Sequence, residues 1–194
     1  MSEATQGPLK VAWCLTGSGD LMPETVAAMT AVSETLDVQI TAALSKAAER
    51  VVRWYKLMDV VEALARKVMI EKDANDPFIA GLLQIKRYDC LVVAPLTANS
   101  TAKIAHGIAD TLVTNSVAQT AKTDVPIYLL PVDQREGTTV TTRPGGERLE
   151  LSIRAVDIEN ARRLTAMEGI TVIEGPGDID GALRACGARP LERA

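Results

Sequence analysis

The stretch Cys90–Ser100, which reads CLVVAPLTANS, decides the fold of this chain. Its first five residues form an unbroken apolar run, which predicts a strand buried on both faces of a parallel sheet. Pro95 and a cluster of small polar residues follow at once, and small residues typical of a helix come next. A strand of this kind delivers backbone amides and hydroxyl groups to a ligand at its carboxyl end.

Apolar runs like this one alternate with helical patterns along most of the chain. The pattern from residue 47 to residue 66 is helical, with a predicted break near Tyr55. Continuous apolar strands that alternate with helices indicate a parallel sheet covered on both faces. Right-handed crossovers then make a doubly wound α/β fold, similar to the Rossmann fold. The predicted strands are Leu9–Leu15, Val38–Leu44, Val68–Ile70, Cys90–Ala94 and Val125–Leu130.

The last third of the chain has a different pattern. Thr138–Thr142 and Leu149–Ile153 alternate polar and apolar residues around a Pro-Gly-Gly turn, which predicts a β-hairpin. A helix, a short strand and a last helix are predicted after it. A length of 194 residues suits one domain. We therefore expect a single domain over 1–194, with a core over 9–131 and a C-terminal extension over 132–194 that begins with the hairpin.

Composition excludes several classes of function. Hydrophobic residues make up 47% of the chain, which is enough for a full core, and aromatic residues only 3%, so the core is predicted to be aliphatic. The net charge is −4 and there is no basic block, which argues against nucleic acid as a partner. No signal peptide and no apolar stretch of membrane-spanning length are found, so we expect a cytoplasmic protein that does not bind membranes.

The three cysteines do not have the spacing of a metal site. Cys14, Cys90 and Cys186 are far apart and form no CxxC pair, so neither a zinc site nor an iron–sulfur cluster is expected. Cys14 and Cys90 lie in apolar runs and are predicted to be buried, reduced thiols.

Two further loops contain residues that suit a ligand. Gly17, Ser18 and Gly19 follow the first strand, where glycine lets the backbone approach a ligand; a plain tight turn is the alternative. Ser45 follows the second strand at the start of a helix, where it can bind a phosphate; an ordinary N-cap is the alternative. Because parallel strands end at one edge of a sheet, these loops and residues 95–100 are predicted to form a nucleotide-sized crevice.

Residues 95–100 resemble the Pro-x-Thr-Ala-Asn-[Thr/Ser] motif of the flavin-binding decarboxylase superfamily. Its members include phosphopantothenoylcysteine decarboxylase, peptidyl-cysteine decarboxylases and flavin prenyltransferase. Residues 103–110, KIAHGIAD, also look like the pantothenate-pathway decarboxylases. The resemblance covers residues 9–131 and implies a flavoprotein fold with FMN as the cofactor. The residues it implies for FMN binding are Gly17, Ser18, Gly19 and Ser45 on the phosphate and ribityl side, and Thr97, Ala98, Asn99 and Ser100 along the isoalloxazine.

The decarboxylases of this superfamily have residues that are missing here. Their catalytic histidine precedes the central strand, where this chain has Glu71–Phe78 without a histidine. Their Pro-Ala-Met-Asn motif is replaced by residues 131–134, PVDQ, and no cysteine-bearing flap follows. By contrast, Val11–Thr25, the turn Ala43–Glu49 and the hairpin extension resemble the archaeoflavoproteins and the FMN-dependent dihydromethanopterin reductases.

This second resemblance implies an FMN-dependent oxidoreductase that reduces dihydromethanopterin to tetrahydromethanopterin by hydride transfer. Asn99 is the predicted catalytic residue, which would orient the pterin or the flavin, and Asp133 is either a proton donor or a polar start of the hairpin. A trimer-based homo-oligomer or cage is expected, with a dihydropterin substrate and NAD(P)H or a ferredoxin-like protein as electron donor. The alternatives are a ferredoxin-linked electron-transfer flavoprotein, a flavin prenyltransferase or decarboxylase-like enzyme, and a regulatory or storage flavin binder.

A few other side chains are further candidates for a role in the site. His106, the only histidine, is predicted within or at the end of a helix, where packing explains it better than general-base catalysis. Trp54 and Tyr55 either pack at a helix end or stack on a ligand. A prenyltransferase would need arginines near the flavin loops, and Arg135 and Arg143 are the candidates.

Overall fold

Strands and helices alternate along the chain, as its hydrophobic pattern predicts. The computed structural model describes residues 7–191. The strands are β1 (Leu9–Leu15), β2 (Val38–Leu44), β3 (Lys67–Ile70), β4 (Cys90–Leu96), β5 (Ile127–Pro131), β6 (Thr138–Thr142), β7 (Arg148–Ser152) and β8 (Ile170–Val172). The helices are α1 (Met22–Thr35), α2 (Lys46–Trp54), α3 (Met58–Leu64), α4 (Ile79–Gln84), α5 (Ala98–Ala105), α6 (Leu112–Thr120), α7 (Ala155–Thr165) and α8 (Asp178–Ala185).

Six of these strands form one parallel sheet, in the order β3-β2-β1-β4-β5-β8. The sheet and its flanking helices confirm the predicted doubly wound α/β fold. The strand order reverses between β1 and β4, so the connections after these two strands leave in opposite directions. A crevice opens at the carboxyl ends of strands at such a point, which is where ligands bind in open α/β sheets.

Two apolar clusters pack on the opposite faces of the sheet. Val11 and Trp13 of β1 belong to the cluster with α1, α2, α3 and α8, whereas Ala12 and Cys14 belong to the cluster with α4, α5, α6 and α7. Because successive side chains of a strand point to opposite faces, both sets must be apolar. This two-sided burial explains the unbroken apolar runs, and β4 is buried over its whole length.

Most element boundaries agree with those predicted. β1, β2 and β6 have the predicted bounds. The helical pattern over 47–66 forms two helices, α2 and α3, separated near Tyr55 as predicted. Lys56 lies between them with φ of 57°, a left-handed conformation that a right-handed helix cannot contain. β5 begins at Ile127 instead of Val125, because the intervening Pro126 has no N–H group to donate to a neighbouring strand.

The hairpin of β6 and β7 is separate from the parallel sheet. Its antiparallel strands pair with each other from Thr138–Ser152 to Thr142–Arg148, and most of its side chains are exposed. β8, by contrast, lies beside β5 at the edge of the main sheet. The predicted hairpin is confirmed, while the boundary between a core over 9–131 and an extension over 132–194 stays a prediction.

Candidate functional site

One threonine ties the loop after β1 to the loop after β4. Thr16 donates its hydroxyl to Pro95 O at 2.8 Å, and its backbone N–H donates to the same oxygen at 3.2 Å. Thr97 N–H donates in turn to Thr16 Oγ1 at 2.8 Å. Trp13 Nε1–H donates to Ala94 O at 2.7 Å, just below these contacts. The two loops are therefore held at a fixed separation by mostly buried hydrogen bonds.

Three helices begin at this edge of the sheet with a hydroxyl cap. Ser45 Oγ accepts Ala48 N–H at 3.0 Å at the start of α2, and Thr97 Oγ1 accepts Ser100 N–H at 3.3 Å at the start of α5. Thr111 caps α6 in the same way. The first amides of a helix have no partner within the helix, and the helix dipole adds positive potential there. This edge of the sheet therefore favours an anionic group.

The carboxylate of Glu71 neutralises part of this positive potential. Glu71, directly after β3, accepts Lys46 N–H at 2.9 Å and Leu112 N–H at 2.7 Å. It thereby bridges the first residues of α2 and α6. The first turn of α5 has no acidic residue. The N-terminus of α5, together with the loop before it, therefore keeps its positive potential for a ligand.

The capped helix ends line a cavity of about 360 Å³, which we call the cap cavity. Ser45 and Ser100 are almost fully buried in its wall, whereas the side chain of Asn99 is exposed. The cavity offers hydroxyl and amide groups to one ligand from four separate loops, which follow β1, β2 and β4 and precede α6. Its lining residues are Thr16, Gly17, Ser45, Lys46, Ala47, Glu71, Thr97, Asn99, Ser100, Thr111 and Val113.

The close approach of the β1 loop to α2 requires glycine at position 17. A Cβ atom added to Gly17 would lie 2.5 Å from the Cβ atom of Ala47 and 2.8 Å from its carbonyl carbon. Because the carbonyl carbon is backbone, the loop or the helix would have to move. At Gly19 the nearest atom is Tyr55 Oη at 3.1 Å, which belongs to a side chain and can give way more easily.

A second cavity of about 360 Å³ adjoins the first, and Gly17 and Thr97 line both. We call it the hairpin cavity, because β6 and β7 form one of its walls. It combines aromatic and aliphatic side chains with a few polar groups, which is the usual composition of a small-molecule site. Its other lining residues are Ser18, Gly19, Asp20, Trp54, Tyr55, Ala98, Val132, Asp133, Thr139, Thr141, Arg143, Leu149 and Leu151.

Hydrogen bonds at two points hold the hairpin beside this cavity. Tyr55 Oη–H donates to Thr142 O at 3.0 Å, and Thr139 Oγ1–H donates to Asp20 Oδ2 at 2.9 Å. These bonds connect the hairpin to the end of α2 and to the loop after β1. The position of the hairpin therefore depends on polar contacts near the surface.

The aromatic pair at the end of α2 packs there and lines the hairpin cavity at the same time. The rings of Trp54 and Tyr55 are in an edge-to-face arrangement, with centroids 5.6 Å apart. The guanidinium carbon of Arg143 lies 5.5 Å from the centroid of the Trp54 ring, and Arg143 also pairs with Glu147. The sequence left two roles open for Trp54 and Tyr55, which are packing at a helix end and stacking on a ligand. Their position in the structure is compatible with both.

Asp133 lines the hairpin cavity just after β5. Partial burial raises the pKa of its carboxyl group above the ordinary value, and the negative charges of Asp157 and Asp20 raise the pKa further, whereas Arg154 lowers it. Such surroundings favour the protonated form. A carboxylic acid in this position can donate a proton to a molecule in the cavity.

The structure brings all the predicted cofactor-binding residues to one edge of the sheet. This agrees with the expectation that loops after parallel strands meet. Ser45 both caps α2 and lines the cap cavity, so its two interpretations do not exclude each other. The contact of each residue with a ligand stays a prediction. Gly17, Ser45, Thr97, Asn99 and Ser100 line the cap cavity, and Ser18, Gly19 and Ala98 line the hairpin cavity.

Sequence reasoning missed Glu71 and Thr111 as parts of the site. Both residues could have been found from the sequence. Glu71 directly follows a predicted strand, and Thr111 precedes the apolar run of a helix, where an N-cap is expected. It also missed where the hairpin docks. The bond between Tyr55 and Thr142 joins residues 87 positions apart, and no local pattern encodes such a contact.

His106 lies outside both cavities. It is exposed at the C-cap of α5, with its Nε2 atom 3.3 Å from Arg163 Nη1, so the predicted helix-end position is confirmed. Within residues 7–191, no group of three or more His, Cys, Asp or Glu side chains could hold a metal ion. In the same part of the chain, every helix is too short or too polar to cross a membrane.

Comparisons with known proteins point to one family. The model of the Flavoprotein family matches residues 1–183. An uncharacterized protein of Methanocaldococcus jannaschii is 49% identical over 172 residues, covering 89% of this chain and 92% of that protein. A dihydromethanopterin reductase (acceptor) of the same organism is 26% identical over 231 residues, covering 88% of this chain and 94% of the reductase.

A solved structure with the same fold is also similar in sequence. The crystal structure of Burkholderia xenovorans DmrB in complex with FMN, described as a cubic protein cage for redox transfer, superposes with a TM-score of 0.78. Its sequence is 32% identical, and the match covers 91% of this chain and 94% of DmrB.

Proposed function

This chain belongs to the Flavoprotein family, and from that premise we propose that it is an FMN-dependent oxidoreductase that reduces dihydromethanopterin to tetrahydromethanopterin. The likeness to a dihydromethanopterin reductase and to the FMN complex of DmrB supports this proposal. The observation that carries it is the hairpin cavity of about 360 Å³, which adjoins the proposed FMN site.

The cap cavity fits the phosphate end of FMN. The hydroxyl groups of Ser45 and Ser100 lie in its wall, and α5 directs its N-terminus toward it. Hydroxyl groups and helix N-termini are the groups that bind phosphate in many nucleotide sites. Lys46 adds a positive charge to the lining, against the negative charge of Glu71. We expect FMN and not FAD, because one such phosphate site is evident in the described residues.

The rest of the cofactor would extend toward the hairpin cavity. Gly17 and Thr97 line both cavities, so a nucleotide held in the cap cavity can pass between them. Ser18, Gly19 and Ala98 line the hairpin cavity and would then lie along its ring system. This proposal differs for Ser18 and Gly19 from the sequence analysis, which assigned both to the phosphate and ribityl side. FMN bound there supplies two-electron transfer as hydride, and the protein supplies binding and orientation.

Asn99 and Asp133 would have different tasks. Asn99, in the first turn of α5, lines the cap cavity, and its exposed amide can donate and accept hydrogen bonds and so orient the flavin. Reduction of a C=N bond adds a hydride to carbon and a proton to nitrogen. Asp133 is proposed to hold that proton on its carboxyl group in the hairpin cavity and to deliver it to the pterin nitrogen.

The positions of the two candidate arginines argue against the prenyltransferase alternative. A prenyl phosphate would need a second phosphate-binding cluster, for which Arg135 and Arg143 were the candidates. Arg135 pairs with Glu174, and Arg143 pairs with Glu147 beside the Trp54 ring. Arg135 lines neither cavity, so Arg143 is the one of the two that could reach a phosphate in the hairpin cavity. A pure electron carrier, in turn, would not need the hairpin cavity.

We also infer that the protein forms a homo-oligomer. DmrB forms a cubic cage, and a trimer-based assembly is our specific expectation for this chain. Trp54, Val140, Leu149 and Leu151 each expose more than a third of their surface, and three of them lie on the hairpin. Apolar side chains exposed together are typical of a surface that a partner covers. Native mass spectrometry should detect a multiple of three chains, and a monomer would contradict this inference.

Two measurements test the proposed function. Mass spectrometry of the chromophore released from the purified protein should identify FMN, and FAD or no retained flavin after reconstitution would refute the cofactor. Steady-state assays should then show reduction of dihydromethanopterin with NAD(P)H or reduced ferredoxin as donor. If donor and pterin visit one cavity in turn, double-reciprocal plots will be parallel lines. Electron exchange with ferredoxin without pterin reduction would favour the electron-transfer alternative.

A further inference from the structure

Two cysteines from distant parts of the chain meet at the amino edge of the sheet, opposite the two cavities. Cys90 is the first residue of β4, and Cys186 is the C-cap of α8. Cys186 Sγ–H donates to Tyr128 Oη at 3.5 Å, and Cys186 packs against the apolar cluster that contains Cys90 and Tyr128. Tyr128 pairs with Val92, which lies two residues after Cys90 and on the same face of β4. Both cysteines are free thiols.

The two thiols differ in burial and in acidity. Cys90 is fully buried, and its pKa is raised well above the ordinary value by the hydrogen bond with Cys186 and by burial. A hydrogen bond from Cys90 to the thiolate lowers the pKa of the half-buried Cys186, although burial raises it. The Tyr128 hydroxyl lowers the pKa further, because it can turn and donate to the thiolate once Cys186 has lost its proton. The thiolate is the reactive form of cysteine. The pair therefore combines an accessible nucleophile with a protonated thiol beside it.

A cavity leads to Cys186 from the solvent. It has a volume of about 300 Å³ and is lined by Lys10, Asp89, Gly187 and Cys186 among others. Cys14 provides a contrast within the same chain, because it has no exposed surface and burial raises its pKa to about 12. A small oxidant can reach Cys186 without any change in the fold, whereas it cannot reach Cys14.

We propose that Cys186 and Cys90 form a redox pair that hydrogen peroxide oxidises to a reversible disulfide. The Cys186 thiolate attacks one peroxide oxygen, so that an S–O bond forms, the O–O bond breaks and the released hydroxide takes up a proton to become water. The Cys90 sulfur then attacks the sulfenic acid of Cys186. An S–S bond forms, and the sulfenic hydroxyl leaves with the Cys90 proton as a second water. A dithiol reductant restores both thiols by exchange.

The disulfide would fasten the end of the chain to the centre of the sheet. The segment after Cys186 already packs against the start of β2, where Asp37 N–H donates to Arg189 O at 2.7 Å and Leu191 N–H donates to Thr35 O at 2.9 Å. A bond that closes a loop of roughly a hundred residues restricts the unfolded chain strongly. The oxidised protein should therefore unfold at a higher temperature. Its FMN content should not change, because the pair lies at the opposite edge from the cavities.

The test is to treat the purified holoprotein with one equivalent of hydrogen peroxide and count free thiols after denaturation. Two of the three thiols should disappear and return with dithiothreitol, and peptide mapping should find Cys90 joined to Cys186. The thermal midpoint should rise on oxidation and fall back on reduction. Oxidation of Cys186 to sulfinic acid without a disulfide, or loss of Cys14 at the same rate, would overturn the proposal.

Three variants separate the redox pair from general thiol oxidation. Cys14→Ala should still lose two thiols. Cys186→Ser, a conservative change at a half-buried position, should lose none at the same peroxide dose. Cys90→Ala should stop at the sulfenic acid of Cys186, which dimedone labels. If Cys90→Ala does not fold, wild-type protein in dimedone serves instead, because the label must then compete with disulfide formation and fall as the reaction time lengthens.

Discussion

The cap cavity and the hairpin cavity meet at Gly17 and Thr97 but are built differently. The cap cavity lies between buried loops that Thr16 joins and that helix caps hold, with Ser45 only 9% exposed. The hairpin cavity is closed by a two-stranded segment with largely exposed side chains, held by polar contacts such as that from Tyr55. A two-stranded hairpin is marginally stable unless other parts of the protein support it.

In the proposed function, the cap cavity holds the phosphate end of FMN and the hairpin cavity holds the pterin. The parallel sheet sets the positions of the loops that follow its strands. Members of a family can therefore share a cofactor site and still catalyse different reactions. The hairpin forms the wall that a change of a few residues can reshape. Substitutions near the cap cavity should therefore alter FMN binding, and substitutions in the hairpin cavity should alter turnover or the KM of the pterin.

The largest effect is expected from Asp133→Asn in the hairpin cavity. An asparagine cannot supply the proton, so kcat for dihydropterin reduction should fall about 100-fold or more, the usual contribution of a general acid. FMN content should not change. His106→Asn is the matched control, because this exposed residue lies outside both cavities, and it should change kcat by less than about twofold. Equal losses in the two variants would contradict the role of Asp133.

The pH dependence of the rate provides a second test of Asp133 as the proton donor. Because the pKa of Asp133 is raised, the wild-type rate should fall as pH rises through that pKa, and Asp133→Asn should lack this fall. A carboxyl group with a raised folded-state pKa binds its proton more tightly in the folded than in the unfolded state. Its ionisation thus lowers stability above the unfolded pKa of about 3.9. The variant should therefore melt at the same or a higher temperature at neutral pH, and a lower melting temperature would indicate a structural role.

Gly17→Ala should have the next largest effect, and it acts on the cofactor. The new Cβ atom meets Ala47 at 2.5 Å, so the loop must move away from α2. We expect the Kd of FMN to rise about 100-fold, or about 2.8 kcal/mol, in fluorescence titration of the apoprotein. Gly145→Ala is the control, because a Cβ atom there meets nothing within 4 Å. An unchanged Kd in Gly17→Ala would show that the loop does not shape the FMN site.

Ser45→Ala should weaken FMN binding less, by about 1 to 2 kcal/mol, the value of one hydrogen bond to a charged group. The fold should survive, since loss of an N-cap costs about 1 kcal/mol. Ser45→Thr keeps a hydroxyl group and should restore most of the affinity. Full FMN affinity in Ser45→Ala would leave Ser45 as a cap of α2 alone.

Tyr55→Phe should have the smallest effect and should act on the substrate. It removes the hydrogen bond to Thr142 O, worth about 0.5 to 1.5 kcal/mol, and so loosens the hairpin. The KM of dihydropterin should rise about threefold to tenfold, while the FMN affinity is unchanged. Tyr88→Phe, at a buried position outside both cavities, should change neither. A change in FMN affinity with an unchanged KM of dihydropterin would contradict the assignment of the hairpin cavity to the substrate.

The sequence predicts the cap cavity better than the hairpin cavity for a physical reason. The apolar runs of β1, β2 and β4 and the small polar residues after them are local patterns, and parallel strands necessarily bring their ends together. The hairpin was also recognisable from its alternation. Its docking depends on Tyr55 and Asp20, whose partners are 87 and 119 positions away, so neither contact leaves a local pattern. Asp133 was recognised as polar, but its raised pKa depends on that tertiary burial.

The central claim is that the hairpin cavity serves a dihydropterin beside FMN. The most direct test mixes the anaerobic, photoreduced holoprotein with dihydromethanopterin in a stopped-flow instrument and follows the visible absorbance of the flavin. The absorbance of oxidised flavin should return within one turnover time, and at least about 100-fold more slowly in Asp133→Asn. Reduced protein that does not respond to the pterin, yet exchanges electrons rapidly with ferredoxin, would contradict the claim.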